Sequence, residues 1–361
     1  MAPAPLPPIP ATPEQVTPEW LAAILPGGDA PVRGVRVEPV GTGQTAATYR
    51  VRVDYAAAGH GLPDSFVVKL PAADPAVRDR VALSYRSEYA FYTEVAHTLA
   101  VPVPRCYHCA VSADGTDFVL LLADLAPAEQ GDQIRGCTPA EVALAAAALA
   151  GLHGPRWCDP AWLSFTGTVM PRPDAAAARG LGEITELAAR TTVDKLGPRL
   201  SPADRATTLD AAALIGDWLL GAPDRFSLLH GDYRIDNLLF DPDRTRVTVV
   251  DWQTLAVGLP ARDLAYLIAT SLPSPTRAAH ERDLVGIYHR ALTGFGVTGY
   301  DAETCWRDYR LGALQVPLIT TLGFAFSTAT ERGDEMALAM LQRGAQAIRE
   351  LDSLGLVRAG V

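Results

Sequence analysis

Leu228-Leu229-His230-Gly231-Asp232-Tyr233-Arg234-Ile235-Asp236-Asn237-Leu238-Leu239-Phe240, followed shortly by Val249-Val250-Asp251-Trp252, decides how this chain is read. Asp232, Asn237 and Asp251 sit in or beside short, strongly apolar runs. Runs of that length bounded by turn residues read as buried strands. Asp241-Pro242-Asp243-Arg244 is a turn between two of them. The segment therefore reads as strand, loop and hairpin, with one carboxylate in the loop and another at the end of the return strand. Carboxylates near a core are costly unless compensated, and a metal ion is one such compensator. Asn237 is the only asparagine in the chain. Its amide oxygen suits a hard cation, although asparagine also serves plainly as a turn residue.

The same spacing occurs where a phosphoryl group is transferred to a hydroxyl. In kinases a loop aspartate orients the attacking hydroxyl, an asparagine five positions later binds Mg²⁺, and an aspartate beyond a hairpin binds metal as well. Asp232, Asn237 and Asp251 stand at those positions. His230-Gly231-Asp232 replaces the His-Arg-Asp of protein kinases, and Asp251-Trp252-Gln253 replaces Asp-Phe-Gly. On these motifs the chain resembles the aminoglycoside phosphotransferase-like small-molecule kinases, a group that includes choline kinase. Asp251-Trp252-Gln253 and Gly131-Asp132-Gln133 are similar to the ecdysteroid-kinase-like branch. The resemblance implies an α+β, two-lobed protein-kinase-like fold: a small N-lobe with an antiparallel sheet, residues 1–122, and a larger, mostly helical C-lobe, residues 123–361. It also implies ATP in the cleft between lobes, Mg²⁺ on Asn237 and Asp251, and Asp232 as the catalytic residue.

Composition bounds the alternatives. With 361 residues, the chain has room for two modest domains or one large one. A net charge of -10 without a basic run argues against nucleic acid and anionic membrane as partners. The five cysteines are scattered, and Cys106-Tyr107-His108-Cys109 is a lone CxxC without the second pair a zinc site needs. Free thiols in a reducing cytosol, and hence a cytoplasmic location, are expected. Met1 to Pro13 is rich in Pro and Ala, lacks the charge and apolar run of a signal peptide, and reads as an extended lead-in. Leu311 to Thr330 carries no charge and is long enough to cross a bilayer, but Gln315, Pro317 and its Thr and Ser residues favour a buried helix.

In chain order, Pro13 to Leu25 reads as a helix with Thr17 as cap, ended by Pro26-Gly27-Gly28. Strands follow at 35–40, 48–53 and 65–70. The turn between the first two holds Gly41, Gly43, Gln44 and Thr45, where a kinase-like chain lays backbone N–H groups over phosphates; a plain hairpin is the other reading. Only two of the 31 basic residues are lysines, Lys69 and Lys195. Lys69 lies on an apolar strand, where a compact point charge would hold α- and β-phosphates. Tyr85, Glu88, Tyr92, Val95 and Leu99 recur at helical spacing over about 84–99, which puts Glu88 on the apolar stripe and makes it the natural partner of Lys69. A hairpin at 105–122 leads into Ala123-Asp124-Leu125. There the resemblance implies adenine contacts from the backbone of Leu122, Ala123 and Leu125.

Beyond that point the composition turns helical. Thr138-Pro139-Ala140-Glu141 is a capping box that opens a helix to about Leu152. His153 at its end reads as a packed residue. Residues 156–200 read as irregular, and Ser201 caps a helix reaching about Leu220. Asp263, near the start of a helix, resembles a family aspartate that braces the catalytic loop. Further helices are expected at 277–293, 301–330 and 334–355.

The function this implies is ATP- and Mg²⁺-dependent phosphorylation of a small-molecule hydroxyl, on an apolar or steroid-like alcohol or an aminoglycoside. A nucleotide-binding regulator without catalysis is one alternative. A protein kinase is another, but no Ala-Pro-Glu segment follows Asp251. A hydrolase is disfavoured because the chain has no Gly-x-Ser-x-Gly and no clustered histidines.

Overall fold

The computed structural model describes residues 7–25, 32–40, 46–56, 61–326 and 330–360. They fall into two compact units. One comprises the chain up to His97, Val103–Pro127 and Asp251–Gln253; the other comprises Thr98–Pro102, Ala128–Val250 and the chain from Thr254 onward.

In the first unit α1 (Pro18–Ile24) is capped by Thr17, whose side chain accepts from the Trp20 N–H at 3.2 Å. Five strands follow: β1 (Val32–Pro39), β2 (Ala46–Tyr55), β3 (Ser65–Pro71), β4 (Cys106–Val111) and β5 (Phe118–Ala123). They form one antiparallel sheet in the order β1-β2-β3-β5-β4. The two-residue repeat of a strand places Val119 and Leu121 against Trp20, Leu21, Phe66 and Val68, and places Phe118, Leu120 and Leu122 against Tyr85. β5 is thus buried on both faces, which explains its unbroken apolar run. Lys69 on β3 lies between Thr48 of β2 and Leu120 of β5.

α2 (Pro75–Ala90) begins nine residues before the predicted Ser84 start, with Asp74 accepting from the Ala76 N–H at 2.9 Å. Its early turns are polar and mostly half-buried or exposed, so no apolar stripe announced them. A π-helical turn over Phe91–Val95 continues it. The helix terminator Pro26-Gly27-Gly28 and the phosphate-loop residues Gly41, Gly43, Gln44 and Thr45 lie outside the described residues.

The second unit is mostly helical. Its strands are β6 (Glu129–Gln130), β7 (Ser227–Leu229), β8 (Leu238–Phe240), β9 (Val247–Val249) and β10 (Ala256–Gly258). β8 pairs with β6 and β9, and β7 pairs with β10. The helices are α3 (Pro139–His153), α4 (Ala175–Leu196), α5 (Pro202–Ala212), α6 (Ile215–Leu220), α7 (Ala261–Ser271), α8 (Ser274–Gly294), α9 (Ala302–Gly312), α10 (Gln315–Phe326), α11 (Glu331–Glu350) and α12 (Ser353–Arg358). The capping box of α3 is formed, with both Thr138 and Glu141 making their reciprocal bonds.

Four expectations are corrected. α4 runs through the stretch read as irregular. Its buried side is built from Ala178, Gly182, Thr185, Ala188, Ala189 and Thr192, while Ile184 and Leu187 point outward; a stripe of small residues carries little apolar signal. The helix expected from Ser201 to Leu220 is two, α5 and α6, and the one expected over 301–330 is likewise two, α9 and α10. The joint between α5 and α6, Ala213-Leu214, carries no proline or glycine, whereas the break between α9 and α10 is marked by Gly312 at the end of α9 and Pro317 in the first turn of α10. The segment expected over 334–355 is α11 and α12.

Candidate active site

In the first unit Lys69 is the centre of a charge cluster. Its Nζ lies 2.9 and 2.7 Å from the two carboxylate oxygens of Glu88, and 3.0 Å from Asp251 Oδ1. Glu88 is fully buried and takes two further donors, the Trp252 backbone N–H at 3.3 Å and Gln253 Nε2 at 3.2 Å. Burial raises the Glu88 carboxyl above its ordinary range, an effect the Lys69 charge opposes. Burial by itself would lower the Lys69 ammonium, but Asp251 and Glu88 outweigh it and hold the group raised and charged. The Asp251-Trp252-Gln253 segment is clamped from a third side. Trp252 stacks on Phe91 of the π-helical turn, with centroids 3.6 Å apart and planes 7° apart, and its carbonyl accepts from Ser87 Oγ at 3.2 Å. Asp251 adopts φ +70, a left-handed conformation that a non-glycine residue holds only where its surroundings impose it.

In the second unit the loop between β7 and β8 is held mostly by side chains. Asp263, fully buried in the first turn of α7, accepts from the His230 N–H at 2.7 Å and the Gly231 N–H at 3.1 Å. The His230 carbonyl accepts from Thr254 Oγ1 at 2.9 Å. His230 Nε2 contacts the Val250 carbonyl at 3.1 Å, and Nδ1 faces the Asp232 N–H at 3.3 Å. A carbonyl only accepts and a backbone N–H only donates, so Nε2 donates, Nδ1 accepts, and the ring serves as a staple. Gly231 has φ +84, and a Cβ there would overlap the Thr254 carbonyl oxygen. Only glycine fits both demands, which accounts for glycine where protein kinases carry arginine.

Asp232 follows. Its Oδ2 accepts from Arg234 Nε at 3.0 Å and from Asn237 Nδ2 at 3.1 Å. Burial would lower the Arg234 guanidinium, but Asp232 and Asp236 keep it raised. Asn237 Nδ2 also donates to the Asp232 backbone carbonyl at 2.9 Å. That carbonyl can only accept, so the amide orientation is determined, with Oδ1 turned away from Asp232. The Asn237 carbonyl takes the Val250 N–H at 3.0 Å, tying the loop to the residue before Asp251. His153 is buried, with Nδ1 2.7 Å from Tyr288 Oη and Nε2 3.4 Å from Asp263, so it packs as the sequence suggested.

Asn237 offers Oδ1 in the second unit, and Asp251 offers a carboxylate, its side chain 40% exposed, in the first. Both are hard oxygen donors of the kind Mg²⁺ takes, usually one or two from protein with the rest from water and phosphate. Among the described residues no group of three or more His, Cys, Asp or Glu is gathered to hold a metal.

The structure thus brings Lys69, Glu88 and Asp251 together, and separately Asp232 and Asn237. Leu122 and Ala123 end β5 and Leu125 follows. The intervening Asp124 accepts from Arg50 Nε at 2.7 Å, Ser65 Oγ at 2.5 Å and the Ala126 N–H at 3.0 Å. The roles of Gln253, Arg234 and Asp124 were missed. Each lies within two residues of a motif position, the one signal that could have drawn attention to it.

A profile of the phosphotransferase enzyme family matches residues 36–301, most of the chain. The chain belongs to that family. The fold of this phosphotransferase is shared with aminoglycoside 2'-phosphotransferase-IIIa, solved as a GDP complex, at TM-score 0.54 and 15% identity, covering 88% of this chain and 94% of that one. It is shared also with an ethanolamine kinase of Plasmodium vivax at TM-score 0.50 and 11% identity, covering 91% and 83%. At such identities the likeness is one of fold. Among curated proteins, acyl-CoA dehydrogenase family member 11 of Gallus gallus is 30% identical over 184 residues, 46% of this chain and 20% of the relative. The match therefore spans about a fifth of that relative's length. The family makes this protein a phosphotransferase, and its fold is α+β, with an antiparallel sheet in one unit and a mostly helical second unit. No helix of the described residues is long and apolar enough to cross a membrane; the uncharged run from Leu311 is divided between α9 and α10.

Proposed function

We propose that this phosphotransferase moves the γ-phosphoryl group of ATP, bound with Mg²⁺, to a hydroxyl of a small molecule. The observation that carries the reading is Lys69 between Glu88 and Asp251, 19 and 182 positions away in sequence. An ammonium pinned by two carboxylates is a fixed positive point, suited to the α- and β-phosphates. The loop of Gly41, Gly43, Gln44 and Thr45 would cover the phosphates, and the backbone of Leu122, Ala123 and Leu125 would meet the adenine. Asn237 Oδ1 and Asp251 would hold Mg²⁺, which when bound neutralises charge on the transferring phosphates.

Asp232 is the catalytic residue in this reading. Arg234 and Asn237 fix its carboxylate, which orients the acceptor hydroxyl and takes its proton. The hydroxyl oxygen bonds to the γ-phosphorus as the bond to the β,γ-bridging oxygen breaks, and ADP departs with that electron pair. Positioning and electrostatics supply most of the acceleration in such transfers. The acceptor is a small alcohol, apolar, steroid-like or an aminoglycoside. The fold neighbours, named as aminoglycoside and ethanolamine kinases, support the small-molecule class. Hydroxyacyl thioesters belong in the test panel because the curated relative is named as an acyl-CoA dehydrogenase family member. The five free thiols of this phosphotransferase suit work in the reducing cytoplasm.

Calorimetric titration with MgATP and MgGTP tests the nucleotide half of this reading. Wild-type protein should bind at least one of them, and Lys69→Met should weaken binding by roughly tenfold or more. Absence of binding to both would overturn the proposal.

A further inference from the structure

The peptide that joins Gly231 to Asp232 has an anchor of its own, outside the loop. Asp263 takes the Gly231 N–H, as described. The Gly231 carbonyl is held separately, by Gln315 Nε2 at 2.8 Å. Gln315 is the first residue of α10 and is fully buried. Its Oε1 accepts from Arg262 Nε at 2.9 Å. Arg262, in the first turn of α7, is also buried; its guanidinium lies 4.7 Å from the Trp218 ring, and Nη2 has no hydrogen-bond partner among the described residues. Burial lowers this guanidinium to about 10, with the Asp263 charge opposing the shift. A cation is therefore kept in an unfavourable place, and one hydrogen bond it makes is to Gln315.

The direction of this chain of bonds is forced. A guanidinium only donates, so Oε1 must face Arg262; a carbonyl only accepts, so Nε2 must face Gly231. The charged donor polarises the amide and strengthens the bond it gives. Gly231 needs such a lock because glycine, having no Cβ, is the residue of the loop with the widest choice of φ and ψ. Rotation of the Gly231–Asp232 peptide plane would break the Gln315 bond and also move the Asp232 N–H off His230 Nδ1, 3.3 Å away. The plane sets the direction in which the Asp232 side chain leaves the backbone.

We propose that Gln315, oriented by Arg262, is a positioning residue for Asp232, fixing the peptide plane from which its carboxylate projects toward the acceptor hydroxyl. This rests on the reading of Asp232 as the group that takes the proton.

The test uses the full chain and three variants. Gln315→Met fills the same space without either bond. Gln315→Glu keeps the partner for Arg262 but turns an oxygen toward the Gly231 carbonyl. Arg262→Lys keeps the charge and a donor, and should lie nearer wild type than either glutamine variant. Hydrogen exchange across residues 228–234 is measured first. Both Gln315 variants should exchange roughly tenfold faster at Gly231 and Asp232, the effect of one lost buried hydrogen bond, while α4 and α11 exchange as in wild type. MgATP hydrolysis with water as acceptor is measured second, with Asp232→Asn as blank. The turnover number kcat should fall roughly tenfold to a hundredfold, with KM for ATP within about twofold. Wild-type exchange at Gly231 and Asp232 in both Gln315 variants would overturn the inference. So would faster exchange throughout the second unit with KM rising alongside the loss of kcat, because Gln315 would then be a general packing residue. Wild-type hydrolysis no faster than the Asp232→Asn blank would count against the catalytic reading of Asp232, while exchange at Gly231 and Asp232 would still decide whether Gln315 holds that peptide.

Discussion

Gly231→Ala separates two effects that glycine can have, because a control position carries only one of them. Gly231 has φ +84 and Gly299 has φ +71, so an alanine at either position must enter the left-handed region. That costs about 1–2 kcal/mol, offset by about 0.4–1 kcal/mol from the stiffer unfolded chain. At Gly299 nothing lies within 4 Å of the place a Cβ would take, so Gly299→Ala should cost about 1 kcal/mol and no more. At Gly231 the new methyl meets the Thr254 carbonyl oxygen, with the Thr254 carbonyl carbon 3.1 Å and its Cβ 3.4 Å away. Thr254 cannot retreat without losing its bond to the His230 carbonyl, so overpacking should add about 1–3 kcal/mol, giving about 2–4 kcal/mol in all. Urea titration followed by tryptophan fluorescence measures both variants against wild type. Equal losses for the two, within about 0.5 kcal/mol, would refute the steric argument and with it the reason for glycine between His230 and Asp232.

Three further outcomes follow from the same contacts. Asp263→Asn should lose about 2–4 kcal/mol in urea titration, because an amide cannot accept from both the His230 and Gly231 N–H groups as a carboxylate does. Burial pushes the thiols of Cys106, Cys137 and Cys305 up to about 12 and that of Cys109 higher, so at pH 8 a thiol reagent should label half-buried Cys158 rapidly and all five only after denaturation. Burial lowers the His108 imidazole below its ordinary 6.5, so the unfolded chain takes up the proton first. Its stabilising contribution is whole above that pH and is lost as pH falls through the folded value; His108→Gln should flatten the decline in melting temperature below pH 6.5.

What could be read from the sequence depended on how far apart cooperating residues lie and how unusual they are. Asp232, Asn237 and Asp251 stand in one strand, loop and hairpin, so their candidacy follows from spacing and local turn chemistry. Lys69 and Glu88 were legible because lysine is rare here and because a carboxylate on an apolar helical stripe needs a cation. The sheet was legible because its strands either alternate, as β1 and β2 do, or run apolar, as β3 and β5 do. By contrast, the start of α2 was hidden by polar early turns. α4 was hidden because Ala178, Gly182, Thr185 and Ala188 form most of its buried side, with Val193 and Leu196 joining only in the last turn. The break before α6, at Ala213-Leu214, carries no proline or glycine, whereas Gly312 and Pro317 flank the break before α10 and could have marked it. Gln315 was illegible for another reason: it lies 84 positions from Gly231, inside an uncharged run whose periodicity says only that it is buried.

The most direct measurement is ADP release with MgATP against aminoglycosides, macrolides, sugars, steroid and terpenoid alcohols, and hydroxyacyl thioesters, with Asp232→Asn as the blank. The proposed function predicts acceptor-dependent release by wild-type protein on one class of alcohol, reduced to background in the blank, with an equal amount of phosphate recovered on the acceptor. Acceptor-dependent release that Asp232→Asn retains in full would contradict the assignment of Asp232.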